Sequence, residues 1–154
     1  MAPTTTTKPV EESSSEGPPD LSKMKDSIDK VTFDQILEMD DEDEEREFSR
    51  GIVYGFFDQA ETTFLKMEKA LRDKNLGELS SLGHFLKGSS ATLGLIKVKD
   101  ACEKIQHYGA GLDETGTNEE PDESVSLKNI EKTLTQAKED YKEVETFLRR
   151  FFKS

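Results

Sequence analysis

The apolar positions of this chain recur at spacings of three and four, not two. No proline interrupts residues 21–120, and long alternating runs of β-branched residues are absent. That pattern predicts helices. A short one is expected over 32–39, with Thr32 and Gln35 in capping-box spacing. A long one follows, with Phe48, Ile52, Phe56, Ala60, Phe64, Met67 and Leu71 on one face. A third opens on Asn75, with Glu78 three residues on, and carries Leu79, Leu82, Leu86 and Leu93 as its stripe. The fourth has Val98, Ala101, Cys102, Ile105 and Leu112. The last is the most regular: Leu127, Ile130, Leu134, Ala137, Tyr141, Val144, Leu148 and Phe151. Four amphipathic helices with short or polar connections imply an all-α fold, an antiparallel four-helix bundle. The short additional N-terminal helix would lie across one end or side.

The pattern fades at two places. The first 27 residues hold five apolar side chains and four of the five prolines, beside runs of Thr and Ser. Such a segment buries too little surface to offset its ordering entropy. A disordered tail over 1–27 and one domain over 28–154 are therefore expected. Residues 113–123 contain six acids and no base, with Gly116 and Pro121, and read as an acidic loop.

Charge narrows the function. The chain has 33 acidic and 21 basic side chains, a formal net charge of −12. Nucleic acid is not an expected partner, because phosphate backbones select clustered Lys and Arg. An anionic membrane surface is disfavoured for the same reason. No apolar run approaches a membrane span, and the first residues lack the apolar core of a secretory signal. One cysteine, Cys102, rules out an internal disulfide and the cysteine sets of structural zinc sites. It lies on a core stripe and reads as a small buried apolar residue. Glycine-rich nucleotide loops are missing. A dense acidic run, 38–47, has eight acids and Arg46. It reads first as a solvated helix start, where acids are stabilising, and second as a steering patch.

The third helix does not add up as a plain core helix. On a wheel of 100° per residue, Leu79, Leu82, Leu86, Ser89, Ser90 and Leu93 share one face. Ser80, His84, Lys87, Gly88 and Ala91 fall on the other. Gly83 and Gly88 flank the histidine, and a glycine inside a helix costs roughly 1 kcal/mol relative to alanine. On an outer face, Gly88 has one evident use: clearance for something large approaching His84. Phe85 lies at the edge of the same face and suits a contact surface. A neutral imidazole is a competent nucleophile near pH 7 and can carry a phosphoryl group as a phosphoramidate. Lys87, one turn on, would offset the added charge. One histidine without nearby carboxylates makes a poor metal site, and no hydrolytic triad is suggested. His107 reads as a solvated residue on the outer face of the fourth helix.

The string His84-Phe85-Leu86-Lys87-Gly88-Ser89-Ser90-Ala91, continuing to Leu95, resembles the active-site helix of histidine-containing phosphotransfer (HPt) domains. Ile36 to Asp40, Phe57 to Ala60 and Cys102 to Gln106 match in the same order. The likeness is strongest to fungal phosphorelay intermediates of the osmosensing, yeast type and runs from about Val31 to the C-terminus. It implies that His84 takes a phosphoryl group from the aspartyl phosphate of one receiver domain and passes it to another. Lys87 would neutralise the phosphoryl charge, Gly88 would keep the approach open and Gln106 would orient the imidazole. Receiver domains of a hybrid histidine kinase and of response regulators are the implied partners. The chain would need no cofactor of its own, since Mg²⁺ belongs to the receiver. The expected contacts are Ile36, Met39, Ile52, Phe85 and Gly88, although Ile36 and Ile52 also fit ordinary core packing. A monomer in cytoplasm and nucleus is the corresponding expectation. The competing reading is a non-catalytic helical adaptor that binds a partner through the His84 face.

Overall fold

Most helix starts among the described residues are set by side chains that satisfy otherwise unpaired N–H groups. The computed structural model describes residues 21–40 and 46–153. A single 3-10 turn at Leu21–Met24 leads into α1, Lys30–Glu38. Then come α2, Glu47–Arg72; α3, Leu76–Leu93; α4, Ile96–Gly109; and α5, Glu123–Lys153. The helices α2 to α5 close a ring, each packed on its neighbours in chain order and α5 returning to α2. Short turns at 73–75 and 94–95 make successive helices antiparallel. The short α1 lies against α2 and α3.

The N-terminal segment is tied in earlier than its composition implies. Residues 1–20 of the expected tail lie outside the described residues, but 21–27 belong to the packed unit. Ser27 is 3% exposed, and its hydroxyl donates to Glu143 Oε1 on α5 at 2.9 Å. The backbone N–H of Asp29 donates to the Gly94 carbonyl (2.7 Å), and that of Ile96 donates to the Ser27 carbonyl (2.9 Å). These bonds pair Ile28 with Leu95, both essentially unexposed, across the α3–α4 turn. Gly94 holds a left-handed φ of 75°, and an added Cβ would come within 3.0 Å of the Asp29 carbonyl and Thr32. Asp29, not Thr32, caps α1: it accepts from Val31 N, and the Thr32 hydroxyl bonds back to it. The helix therefore starts two residues before its expected position.

A second clasp joins α1 to α2. Arg46 precedes α2 in a left-handed conformation and offers no side-chain cap. The cap comes from nine residues back. Asp40 is 7% exposed and accepts from Ser49 N at 2.9 Å and from Ser49 Oγ at 2.6 Å. The Arg46 guanidinium lies over Phe151, 4.6 Å from the ring centre. With Ser49 held inward, the buried line of α2 runs through Ser49, Val53, Phe57, Ala60, Phe64 and Met67. At its start this line is one residue ahead of the expected stripe. Phe48 consequently turns out to 48% exposure, and Ile52 is half-buried.

The remaining helices follow their patterns closely. Asn75 Oδ1 accepts from Glu78 N, as an N-cap should. In α5 the expected apolar positions are buried from Ile130 to Phe151, with Leu127 partly so. Glu145 shares that stripe at 6% exposure; burial alone would raise its carboxyl, but bonds from Arg149 and Lys142 hold it below its usual range. The fourth helix stops at Gly109, so Leu112 belongs to the loop, where it bridges to Glu119. Asp113 organises that loop by accepting backbone bonds from Thr115, Gly116 and Thr117 at 3.0–3.2 Å and one from Asn118 Nδ2 at 2.8 Å. Its hydrogen bonds, from Asn118 and Thr115 foremost, hold the carboxyl well below the ordinary range.

The Asp40 clasp generates a prediction. Asp40→Ala leaves the Ser49 N–H buried without its acceptor and the hydroxyl with only the Arg46 carbonyl at 3.4 Å, which costs about 1–3 kcal/mol. Urea unfolding should show a lower midpoint by that amount. A midpoint equal to wild type would refute the capping role.

Candidate functional site

The chemistry-bearing residues meet where α3 and α4 approach most closely. A Cβ on Gly83 would lie 2.7 Å from the Cys102 carbonyl and 2.9 Å from Gln106 N. One on Gly109 would lie 2.6 Å from Ser80 N and 2.7 Å from the Leu76 carbonyl. Between them, Ser80 Oγ donates to the Gln106 carbonyl at 2.9 Å. The two backbones are thus in direct contact at both glycines. Ser80, expected on the outer face, is drawn to α4 by this bond.

His84 follows Gly83 and is exposed. Its imidazole makes no hydrogen bond or ion pair among the described residues, so a ring nitrogen lone pair is free. Phe85 beside it is 50% exposed. One turn on, Gly88 is exposed and a Cβ there would meet nothing within 4 Å. Packing within this chain therefore gives no reason for a glycine at 88, whereas packing fully accounts for the one at 83. Lys87 is more than half buried, its side chain 27% exposed, and its Nζ lies 3.9 Å from Glu103 Oε2 on α4.

Gln106 sits in backbone contact with Gly83, the residue preceding His84. No hydrogen bond joins its amide to the imidazole, and its Oε1 is buried without a partner. Of the expected contacts, Met39 is 61% exposed, Phe85 is half exposed and Gly88 is open. Ile52 is half-buried. Ile36 is 6% exposed and belongs to the core, so it offers little surface to a partner. Spacing could not separate the two roles, because Ile36 and Met39 are three residues apart, a helical spacing that puts both on one side, and Met39 lies just past the end of α1. The structure also adds Glu103, which the sequence reading left without a role. Its position three residues before Gln106 on α4 was the available signal.

His107 is not a free surface residue. Its Nδ1 lies 2.8 Å from the Glu114 carbonyl. A carbonyl only accepts, so Nδ1 carries the proton. The ring also fills the space where a Cβ on Gly116 would stand, 2.8 Å away. Its role is to seat the acidic loop. Cys102 is fully buried, and burial pushes its thiol up to about 12. Among the described residues, no group of three or more His, Cys, Asp or Glu could hold a metal ion. No helix among them is long and apolar enough to cross a membrane.

The family model for the Hpt domain matches residues 52–145, spanning α2, α3, α4 and most of α5. The chain belongs to the Hpt-domain family. This Hpt-domain protein is 48% identical over 133 residues to the multistep phosphorelay regulator 1 of Schizosaccharomyces pombe, covering 86% of this chain and 45% of that protein. It is 52% identical over 91 residues to the phosphorelay intermediate protein YPD1 of Candida albicans, covering 58% and 48%. The chain thus spans about half the length of the curated relatives it matches. Among solved structures, Saccharomyces cerevisiae Ypd1, crystallised with the receiver domain of the response regulator Ssk1, superposes with a TM-score of 0.72. That match is 36% identical and covers 82% of this chain and 95% of the other.

The two glycines of this Hpt helix should respond oppositely to alanine. Gly83→Ala forces α3 off the α4 backbone and should cost about 1–3 kcal/mol or more. Gly88→Ala has room for its methyl group and should stabilise the helix by about 0.5–1 kcal/mol. Thermal unfolding of the two variants measures the contrast, and equal shifts would contradict the packing difference.

Proposed function

We propose that this Hpt-domain protein is a phosphorelay intermediate. His84 accepts a phosphoryl group from the aspartyl phosphate of one receiver domain and hands it to the aspartate of a second. The observation that carries this reading is the unencumbered imidazole of His84 beside the open surface at Gly88. A receiver must bring its aspartate to within bonding distance of the ring, and a side chain at 88 would stand in that approach. The relatives described as phosphorelay intermediates, and the Ypd1 complex with a receiver domain, support the assignment.

The chemistry follows from the imidazole. The lone pair of the unprotonated ring nitrogen attacks phosphorus, and the bond from phosphorus to the aspartyl oxygen breaks. Its electron pair leaves with the carboxylate, while the other ring nitrogen keeps its proton. The product phosphoramidate has a lability close to that of the acyl phosphate, so the step runs in either direction. Lys87 offsets the phosphoryl charge from one helical turn away. Gln106, whose backbone packs on Gly83, would turn its amide to the ring and position it. Mg²⁺ comes with the receiver, as in our reading the hybrid kinase and the response regulators each supply the acidic site that holds it. Met39, Phe85 and the open face at Gly88 form the docking surface, with Ile52 at its edge. A monomer that moves between cytoplasm and nucleus fits this role.

The test is transfer from a pre-phosphorylated receiver domain, beginning with that of Ssk1, in the presence of Mg²⁺. Wild type should gain one acid-labile phosphoryl group by intact mass, and His84→Gln should gain none. Label on His84→Gln would remove His84 from the mechanism. Lys87→Ala should slow transfer by about tenfold or more. Gly88→Gln should fold at least as stably as wild type yet lose transfer, because the bulk blocks docking rather than chemistry. Partner binding that depends on His84 without any label would instead establish the helical adaptor.

A further inference from the structure

The lysine expected to neutralise the phosphoryl group already has an anionic neighbour. Lys87 Nζ lies 3.9 Å from Glu103 Oε2, across the α3–α4 seam. The Glu103 side chain is 47% exposed, and the packing of α4 on α3 sets where its backbone stands. Gly83 meets the Cys102 carbonyl, and each of these is followed directly by a site residue, His84 on α3 and Glu103 on α4. The closest backbone contact near the histidine therefore fixes where Glu103 stands relative to it. The Lys87 side chain is 27% exposed, so its stem is packed and its ammonium has a short reach. Two anions facing one ammonium also repel each other, so each weakens the other's hold on it.

We infer that Glu103 is a positioning residue for phosphotransfer: it holds Lys87 in the resting protein and competes with the phosphoryl group of His84 for the same ammonium. This rests on the reading of His84 as the phosphoacceptor. Phosphorylation brings about two negative charges to His84. Lys87 then turns from Glu103 to the phosphoryl oxygens, and Glu103 is left with solvent and a like-charged neighbour. The phosphorylated state is less stable than it would be with an uncommitted lysine. The carrier accordingly gives up its phosphoryl group more readily, and the free protein keeps its lysine oriented until a receiver docks. Glu103 does not touch the reacting atoms; its effect passes through Lys87.

An ion pair of this exposure is worth a fraction of 1 kcal/mol up to about 1 kcal/mol, which corresponds to a roughly two- to fivefold shift in an equilibrium. The experiment equilibrates the phosphorylated Ssk1 receiver domain and Mg²⁺ with wild type, Glu103→Gln, Glu103→Asp, Lys87→Ala and the Glu103→Gln/Lys87→Ala double variant. The fraction of acid-labile label on each is read by intact mass, and the decay of the isolated phosphorylated protein is followed alongside. Glu103→Gln should shift label toward this protein by about two- to fivefold and lengthen its lifetime, with a loss of unfolding stability no larger than the ion pair itself supplies. Glu103→Asp should return both readouts toward wild type. In the Lys87→Ala background, Glu103→Gln should change nothing. An unshifted equilibrium in Glu103→Gln, with wild type labelled at His84, overturns the inference and leaves the relay reading intact. An equal shift with and without Lys87 also overturns it, because the glutamate would then act directly on the phosphoryl group. Absence of label on wild type removes the His84 reading and this inference together.

Discussion

The backbone contact between α3 and α4 is the constraint on which the site depends. Two helices whose main chains touch at Gly83 and Gly109 cannot slide past each other without a clash, and the Ser80–Gln106 bond fixes their register further. A slip of one turn would carry α4 about 5.4 Å along its neighbour. Glu103 and Gln106 would leave the neighbourhood of His84. The propensity lost at Gly83 is thus exchanged for position: a helix former there would improve α3 in isolation and displace the residues that surround its histidine. Small residues in the seam also explain why Ser80 faces inward, against a wheel that puts it outside.

A second set of ties does for α1 what the glycine seam does for α4. With nine residues, α1 is too short to be stable alone. It is held at its start by Asp29 and by the pairing of Ile28 with Leu95, and just beyond its end by Asp40 on Ser49. Phe33 in its middle packs edge-on against Phe151 of α5, 5.9 Å between ring centres. These ties leave Met39 and Phe48 exposed on either side of the Asp40–Ser49 pair. The apolar side chains of that face are therefore carried on buried, fully bonded polar groups. Such a face keeps its shape while free, which lowers the ordering cost of binding.

Much of this was legible in the chain, and the failures share a cause. Helix α5 reads off the sequence because it packs along one continuous face, so a 3.6-residue period suffices. Asn75 and Glu78 announce α3 through local chemistry alone. Phe48 and Thr32 were misplaced because the true caps, Asp40 and Asp29, act from outside the helical pattern. The buried side of α2 is turned by a carboxylate nine residues away, and no periodicity records that. Gly83 and Gly88 look alike in sequence, five positions apart in one helix, yet a Cβ at one would strike the α4 backbone and a Cβ at the other would meet nothing within 4 Å among the described residues. His107 was assigned to solvent because a wheel has no place for a loop that folds back on it. In each case the missing information is a contact between segments that the period of a single helix does not carry.

On the proposed reading, the same geometry bears on how His84 would carry a phosphoryl group. Hydrolysis of a phosphohistidine needs a base that activates water near phosphorus. Glu103 faces Lys87 across the α3–α4 seam, 3.9 Å from its ammonium. His107, the other imidazole, spends Nδ1 on the Glu114 carbonyl and packs its ring against Gly116. Among the described residues, His84 has Lys87 one helical turn away and the open surface at Gly88 beside it. An unshared cluster of cations would hold the phosphoryl group too firmly for onward transfer. With no cation at all, the histidine would compete less well with an aspartate for it. A single lysine with an anionic partner lies between these limits, where a reversible transfer between two acyl phosphates requires the intermediate to lie.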